Sequence, residues 1–517
     1  MKRSEERRAR PTDAAEQKPR RRGKGQADMP PAFVEFMLQR WKAPPTRLPP
    51  KVPGLAQYVE RRQALSALFP GELLVIPTGH ERVRSNDTHY PFRPGTEFAY
   101  LTGNHEPDAV LVLEPKGRRG HRALLFVDPN PGKTDATFFT DRHKGELWVG
   151  PRLGIDASRH RYGVDEGRPL ETLAAFARSL KGVHVRVLGG ASAPTEACFA
   201  RRRRVSGQAD AELGQALSEL RLIKDALEIR ELEGAAAATK RALEDALRGL
   251  PEARSERDLE AAFVARALAE GGGVGYGTIV AAGANACRLH WTRNDGEVRR
   301  GELVLIDGGV EARSLYTADV TRTFPVSGRF SPAQRAVYDI VRAAQRAAVE
   351  AVTPGADFLA PHHAATRALA EGLIALGVLR MPLEEAIDKK KQFYKRYTLH
   401  GTSHMLGIDV HDCARARKEN YREGKLAAGM VLTIEPGLYF QPDDLTVPAH
   451  LRGIGVRIED DVLVTARGRR VLTAEIPREA DEVEAWLAGL WGRPRAAVAG
   501  AKTKTGGRRA SRAAPAP

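Results

Sequence analysis

Short apolar runs alternate with longer amphipathic stretches through the first part of the chain. The runs are "ELLVIPTG", "AVLVLEP", "RALLFVD" and "HVRVLGG". Apolar runs of this length between Gly and Pro are typical of buried strands, and "LETLAAFARSL" is typical of a helix lying between them. We therefore predict an α/β N-terminal domain over residues 36–205.

The pattern changes in the second part of the chain. Residues 210–250 and 258–269 have strongly helical sequences, and a helix pair is predicted over 331–377. Around these helices lie the strand-like runs "ELVLIDGG", "LYTADVTRTFPV", "MVLTIEPGLYF" and "GVRIEDDVLVT". The last strands are hairpin-like neighbours, which indicates an α+β domain with a largely antiparallel sheet over residues 206–485.

The charge of the chain is concentrated at its two ends. The formal net charge is +16, of which residues 1–28 carry +5 and residues 493–517 carry +7. Both ends are rich in Arg, Ala, Gly and Pro, so we predict disordered basic tails over 1–35 and 486–517. The body is therefore close to neutral, and no specific nucleic-acid partner is expected.

The compartment is predicted from the N-terminus and the cysteines. The basic N-terminus lacks the apolar segment of an export signal, and no run approaches the ~18 apolar residues of a membrane span. Cys198, Cys287 and Cys413 are widely spaced and form neither a disulfide framework nor a zinc-ligand pair. We expect a cytoplasmic protein with no membrane partner.

Three of the 14 histidines fall within "HGTSHMLGIDVHD". His400 and His404 have the i, i+4 spacing of zinc helices, but Gly401 stands where the HExxH motif requires Glu. Gly401 and Gly407 also disfavour a helix, so loop and strand are predicted. The segment alone leaves open whether these histidines and His411 bind a metal, exchange protons or pack.

Four acidic residues lie within or at the ends of apolar strands, where burial of a charge is costly unless it is paired or bound to a cation. They are Asp307, Asp319, Glu435 and Glu459. One such acid is typically a capped strand end, whereas four in one domain with a histidine cluster indicate a shared cation site. Bridging carboxylates suit two divalent ions about 3.5–4 Å apart. Oxygen ligands with one imidazole favour manganese, iron or cobalt over zinc.

The motifs around these residues resemble one known family. "LIDGG", "ADVTRTFPVSG", "HGTSHMLGIDVHD", "TIEPGLYF" and "GVRIEDDVLVT" occur in the order seen in aminopeptidase P, the proline-specific branch of the pita-bread metallopeptidases. With "YPFRPGTEFAYLTGNHEPDAVLVLEP" and its neighbours, the resemblance covers about residues 57–477. It implies a fold of the creatinase/aminopeptidase P type, with an α/β N-terminal domain before an α+β pita-bread catalytic domain.

The resemblance also implies roles for individual residues. The implied metal ligands are Asp307, Asp319, His404, Glu435 and Glu459. His290 and His400 would lie beside the substrate, His411 would stabilise the tetrahedral intermediate, and Glu435 would also transfer protons. Tyr439 and Arg457 would support the site through hydrogen bonds. Alternatively, Tyr439 packs at a strand end and Arg457 pairs with the carboxylates.

The activity implied is release of the N-terminal residue from peptides with proline in second position, using two divalent ions, with manganese expected. The Xaa-Pro bond lacks the N–H that ordinary peptidases hold. An Xaa-Pro dipeptidase (prolidase) and a non-catalytic pita-bread binding protein are the alternatives, and the intact ligand set argues against the second. We expect a homo-oligomer, either a dimer or a tetramer.

One spacing departs from the family pattern. Eleven residues separate Asp307 from Asp319, one more than is usual in the family. A shift of strand register by one residue would turn Asp319 to the opposite face. Since both flanking sequences match, we expect the extra residue to enlarge the hairpin turn within residues 311–315.

Overall fold

The computed structural model describes residues 29–42, 47–117, 120–201 and 207–492. Most of the two basic tails, and the predicted domain junction at 205–206, lie outside the described residues. Within the described part of the chain, no helix is both long and apolar enough to cross a membrane. Cys198, Cys287 and Cys413 are free thiols.

The N-terminal part contains short strands and helices. Its elements are α1 (Pro31–Leu38), α2 (Leu55–Leu68), β1 (Leu73–Pro77), β2 (Val83–Ser85), β3 (Thr88–His89), α3 (Thr96–Thr102), β4 (Val110–Pro115), β5 (His121–Val127), α4 (Thr137–Thr140), α5 (Glu146–Val149), α6 (Gly154–Tyr162), β6 (Glu166–Pro169), α7 (Leu173–Ser179), β7 (Val185–Val187) and α8 (Ala193–Phe199). Five strands form one sheet in the order β6-β5-β4-β1-β7. The central pairs are antiparallel and the two edge pairs are parallel. The four predicted strands are confirmed.

The C-terminal part combines long helices with several small sheets. Its elements are α9 (Gln208–Leu220), α10 (Ala226–Gly249), α11 (Glu256–Glu270), β8 (Gly273–Val274), β9 (Ile279–Ala282), β10 (Leu303–Gly308), β11 (Val310–Glu311), β12 (Val320–Pro325), α12 (Pro332–Ala351), α13 (Ala360–Ala375), α14 (Leu383–Ala386), β13 (Val431–Ile434), β14 (Gly437–Tyr439), β15 (Gly455–Arg457), β16 (Asp460–Thr465), β17 (Gly468–Val471) and α15 (Ala480–Trp491). The sheets are β12-β10-β9, β13-β16-β17, β14-β15 and β11-β8. All of their pairs are antiparallel, which confirms the predicted α+β class.

The long helical stretch predicted over 210–250 is interrupted between α9 and α10. Asp225 caps the second helix, because its side chain accepts hydrogen bonds from the backbone N–H groups of Leu227 at 2.8 Å and Glu228 at 3.0 Å. The side chain of Glu228 reciprocates by accepting from the Asp225 N–H at 2.9 Å. This capping box fixes a new helix start, so the connection at 221–225 can leave the helical path.

The predicted disorder is wrong where each tail meets the folded part of the chain, at residues 31–35 and 486–491. Helix α15 extends to Trp491, with Leu487 and Leu490 buried and the Trp491 indole donating to the Leu247 carbonyl at 2.9 Å. Residues 31–35 belong to α1, where Phe33 packs edge-on against Phe139 with ring centroids 6.1 Å apart. In α15 the buried apolar side chains at helical spacing outweigh the polar composition of the surrounding sequence, whereas α1 has no buried residue.

Candidate metal centre and its cavities

Asp307 and Asp319 lie on one face of the antiparallel pair β10 and β12. Asp307 lies opposite Thr321, and Asp319 is two residues before Thr321, so the pleat places both aspartates on the same side. The Tyr276 hydroxyl lies 2.7 Å from Asp307 Oδ1 and 2.5 Å from Asp319 Oδ1. The hydroxyl has one proton, so it donates a hydrogen bond to either carboxylate in turn. It thereby keeps the two aspartate side chains close together.

The extra residue between the two aspartates is accommodated in the turn, as predicted. The bridge between Glu311 and Thr317 continues the register of β10 and β12. The turn closes through the Ala312 N–H, which donates to the Tyr316 carbonyl at 2.8 Å. Leu315 adopts the left-handed region with φ of 75°, an uncommon conformation for a branched residue. Asp319 therefore lies on the same face of the strand pair as Asp307, as it would without the extra residue.

Glu435 and Glu459 reach the same place from the other sheets. Glu435 directly follows β13, and Glu459 lies between β15 and β16. The Thr321 hydroxyl donates to Glu459 Oε2 at 2.6 Å, and the Glu459 N–H donates to the Thr321 carbonyl at 3.0 Å. Thr321 thus joins the aspartate strands to the glutamate strands.

His404 presents one ring nitrogen to the carboxylates. Its Nδ1 lies 3.1 Å from the Met405 carbonyl, which assigns the proton to Nδ1 and directs Nε2 into the site. Nε2 lies 3.3 Å from Asp319 Oδ2 and 3.4 Å from Glu435 Oε1. A ligating imidazole that is oriented by a backbone carbonyl is a recurrent feature of metal sites.

His411 and His400 flank His404. The His411 ring packs edge-on against that of His404 with centroids 4.4 Å apart. Burial, followed by the nearby positive charge of His404, lowers the pKa of His411, so its ring is neutral near pH 7. His400 Nε2 lies 2.7 Å from the Tyr439 hydroxyl, which links it to the residues behind the carboxylates.

Arg457 is the cation behind the carboxylates. Its guanidinium donates to Asp307 Oδ2, to the Tyr439 hydroxyl at 3.0 Å and to the Thr321 hydroxyl at 3.1 Å. Arg457 therefore makes the ion pair considered as its structural alternative and also orients Tyr439 through a hydrogen bond.

The charges of the site fit a divalent cation. Burial and the neighbouring carboxylates raise the pKa of Glu459 well above its usual range, and burial raises that of Asp307 despite Arg457. Burial disfavours the charged form of His404, but a hydrogen bond with Asp319 and the charge of Glu435 outweigh it and raise its pKa to about 9. The donor atoms of Asp319, His404 and Glu459 all lie within 4.8 Å of one another. Burial and mutual repulsion oppose the negative charge of these carboxylates, and a bound divalent cation would relieve both effects.

Two adjoining cavities meet at this cluster. The smaller, of about 260 Å³, is lined by all four carboxylates together with Tyr276, Leu289 and Val410. The larger, of about 750 Å³, extends past Phe358, Leu359 and Tyr421 to Lys418 and Arg422. Five residues line both cavities, namely His290, His400, His404, His411 and Glu435. The predicted histidines therefore stand where the two cavities join.

Three functional features were missed in the sequence. Tyr276 belongs to the glycine run "GGGVGYG", where a Cβ on Gly275 would lie 2.0 Å from the Thr317 hydroxyl oxygen. The absent side chain lets this segment pack on the hairpin and brings Tyr276 to the aspartates. The glycines of the run were a signal of close packing that could have drawn attention to the tyrosine between them.

The second missed residue is Glu256 at the start of α11, which is fully buried. Its Oε1 accepts from the Ala282 N–H at 2.7 Å and the Asn285 amide at 2.9 Å. Its Oε2 accepts from the Trp291 indole and the Gly296 N–H, both at 2.7 Å. Glu256 thereby anchors both ends of the loop that carries His290.

The third is a buried ion-pair group beside His411. Asp412 lies 3.0 Å from Arg221 Nε and 3.1 Å from Lys224 Nζ, and all three side chains are at most 3% exposed. Burial raises the pKa of Asp412, but Lys224 and Arg221 outweigh that effect and lower it to about 2. The histidine segment is thus fastened to the connection between α9 and α10.

Four carboxylates around the His404 imidazole, at the junction of two cavities, fit a metal-dependent hydrolase, and similarity to known proteins shows this class. Residues 230–466 match metallopeptidase family M24, and residues 58–187 match the aminopeptidase P N-terminal domain. The chain is 52% identical over 439 residues to Xaa-Pro aminopeptidase 1 of Streptomyces coelicolor, covering 84% of this chain and 88% of that protein. It is 36% identical over 448 residues to Xaa-Pro aminopeptidase of Escherichia coli, covering 83% and 97%.

A solved structure shows the same fold. Aminopeptidase P from E. coli with the inhibitor Pro-Leu aligns with a TM-score of 0.77 at 34% identity, covering 86% of this chain and all of that one. The chain belongs to metallopeptidase family M24, with an aminopeptidase P N-terminal domain. The predicted family and fold class are confirmed.

Proposed function

We propose that this protein releases the N-terminal residue from peptides with proline in second position. The observation that carries the proposal is the junction of the two cavities. The smaller cavity holds the carboxylates and suits one amino-terminal residue with its ammonium group. The larger leads outward from the same histidines and leaves room for the peptide that continues from the proline.

Asp307, Asp319, His404, Glu435 and Glu459 hold two divalent ions in this proposal, with manganese expected from the oxygen-rich donor set. When bound, divalent ions supply Lewis-acid activation of the attacking water at neutral pH. Arg457 orients Asp307, and Tyr276 orients both Asp307 and Asp319, through their hydrogen bonds.

The remaining steps use the side chains of this chain. Glu435 takes the proton of the attacking water and returns it to the proline nitrogen as the bond breaks. His411, being neutral, donates an N–H to the oxyanion of the tetrahedral intermediate. His290 and His400 border the substrate where the cavities meet. Arg457 and Tyr439 orient the carboxylates and His400 from behind.

The test compares an Xaa-Pro dipeptide with Xaa-Pro-Yaa peptides, using metal-depleted protein reloaded with manganese, cobalt, iron or zinc. Cleavage of the longer peptides with release of the first residue is expected, fastest with manganese. Cleavage of the dipeptide alone would indicate a prolidase, and metal binding without cleavage would indicate a binding protein. The homo-oligomer, as dimer or tetramer, and the cytoplasmic location stay predictions.

A further inference from the structure

Away from the five residues that line both cavities, the larger cavity is positively charged, and we call this part its mouth. Two cationic side chains line it there, Lys418 and Arg422, and both belong to residues exposed to solvent. The carboxylates that line the same cavity are Glu435, at its inner end with the proposed metal ligands, and Asp412. Asp412 is buried and already paired with Arg221 and Lys224. The mouth of the cavity therefore has an excess of positive charge.

The same segment contains basic residues that are paired. Arg417 forms an ion pair with Glu219 at 2.7 Å, and Lys425 forms one with Asp357 at 2.6 Å. Lys418 and Arg422 have no such ion pair within the described part of the chain. Glu419 and Glu423 lie on the segment but do not line the cavity. The two side chains at the mouth are thus free to pair with an anion of a ligand.

The backbone that carries these cations is fixed. Tyr421 is 8% exposed, its hydroxyl accepts from the Met405 N–H at 2.8 Å, and its ring packs edge-on against Phe358 with centroids 5.0 Å apart. The Glu423 N–H donates to the Lys418 carbonyl at 2.8 Å. Because Met405 is next to His404, the position of the mouth is coupled to that of the metal centre.

We propose that Lys418 and Arg422 bind a carboxylate of the substrate beyond the proline, so that acidic peptides are preferred. This rests on the proposed function, in which the part of the peptide after the proline lies in the larger cavity. The carboxylate has two possible sources, an acidic side chain following the proline or the free C-terminus of a tripeptide. Ion pairs between the substrate carboxylate and these two exposed cations should make the KM of an acidic peptide about threefold to tenfold lower than that of a neutral one.

The experiment measures kcat and KM of the metal-loaded protein for Ala-Pro-Ala amide, Ala-Pro-Ala with a free C-terminus, Ala-Pro-Asp amide and Ala-Pro-Lys amide. A lower KM for the free acid alone assigns the C-terminal carboxylate, and a lower KM for the Asp amide alone assigns the side chain. The preference should weaken at high salt, since these charges are accessible to ions. Equal KM values for neutral and acidic peptides overturn the inference, whereas failure to cleave any of the four peptides overturns the proposed function instead.

Variants connect the preference to these two residues. The double variant Lys418→Gln/Arg422→Gln should reduce the ratio of neutral to acidic KM to about one. Lys425→Gln is the matched control, because it removes a paired lysine from the same segment away from the cavity, and it should retain the ratio. A double variant that keeps the full ratio overturns the assignment to Lys418 and Arg422.

Discussion

Substitution of Glu256 by Gln tests whether the His290 loop depends on one buried carboxylate. All four groups facing Glu256 are donors, at 2.7–2.9 Å. If the new amide nitrogen replaces Oε2, the N–H groups of Trp291 and Gly296 both lose their acceptor. If it replaces Oε1, Asn285 can turn its amide over at the expense of its bond from the exposed Arg288 side chain, and the Ala282 N–H is the buried donor that stays unpaired. The second arrangement is preferred, and one unpaired buried donor costs about 1–3 kcal/mol.

Hydrogen–deuterium exchange measures this loss of local stability at the backbone amides of the loop. A loss of 1–3 kcal/mol makes opening of the whole 282–296 loop easier, so the amides at both of its ends, Ala282 and Gly296, should exchange about 5- to 150-fold faster. Peptide cleavage should weaken as well, because His290 lies at the junction of the cavities.

Glu260→Gln is the control, since it makes the same charge change one turn further along α11, where the carboxylate has no hydrogen bond to the described residues. Equal exchange at Ala282 and Gly296 in both variants would refute the anchoring role of Glu256.

Three further predictions concern the metal centre and acid sensitivity. Asp319→Ala and Glu459→Ala should each remove bound metal and activity, measured by metal analysis and peptide cleavage; a fully active, metal-loaded variant contradicts the ligand assignment. Tyr276→Phe should weaken metal affinity about 10- to 100-fold in a metal titration, as expected for a partner that orients ligands; unchanged affinity contradicts that role. Burial lowers the pKa of His362 to about 4. The unfolded chain therefore binds the extra proton between pH 6.5 and 4, and stability falls by at most about 3 kcal/mol as the pH falls through this range. His362→Gln should flatten that slope in pH-dependent thermal unfolding, and an unchanged slope contradicts it.

The strand-borne acids were predictable from the sequence because their signal is local. Asp307 directly follows a run of four apolar strand residues, and a charge in that setting stands out without knowledge of the fold. The antiparallel sheets were predicted from short apolar runs that follow one another closely, as the strands of a hairpin do. The positions of these features in space came only with strand pairing, which placed Asp307 opposite Thr321.

The residues that were missed depend on contacts between distant parts of the chain. Glu256 has the sequence setting of an ordinary acidic residue in the first turn of a helix, where it would complement the helix dipole. Its burial arises from residues 282–296, which fold over it. Tyr276 reaches Asp319 across 43 residues, and Arg221 reaches Asp412 across 191. No local pattern indicates such partners.

The ion-pair group of Asp412, Arg221 and Lys224 determines how the chain can be divided. The match to metallopeptidase family M24 begins at residue 230, beyond both cations. A fragment cut at that point would remove both cations that pair with Asp412, next to His411. Removing one side of a buried ion pair typically costs about 3–5 kcal/mol. The smallest fragment with an intact histidine segment therefore starts before Arg221, and exchanges of the N-terminal domain between relatives should keep that connection with the catalytic part.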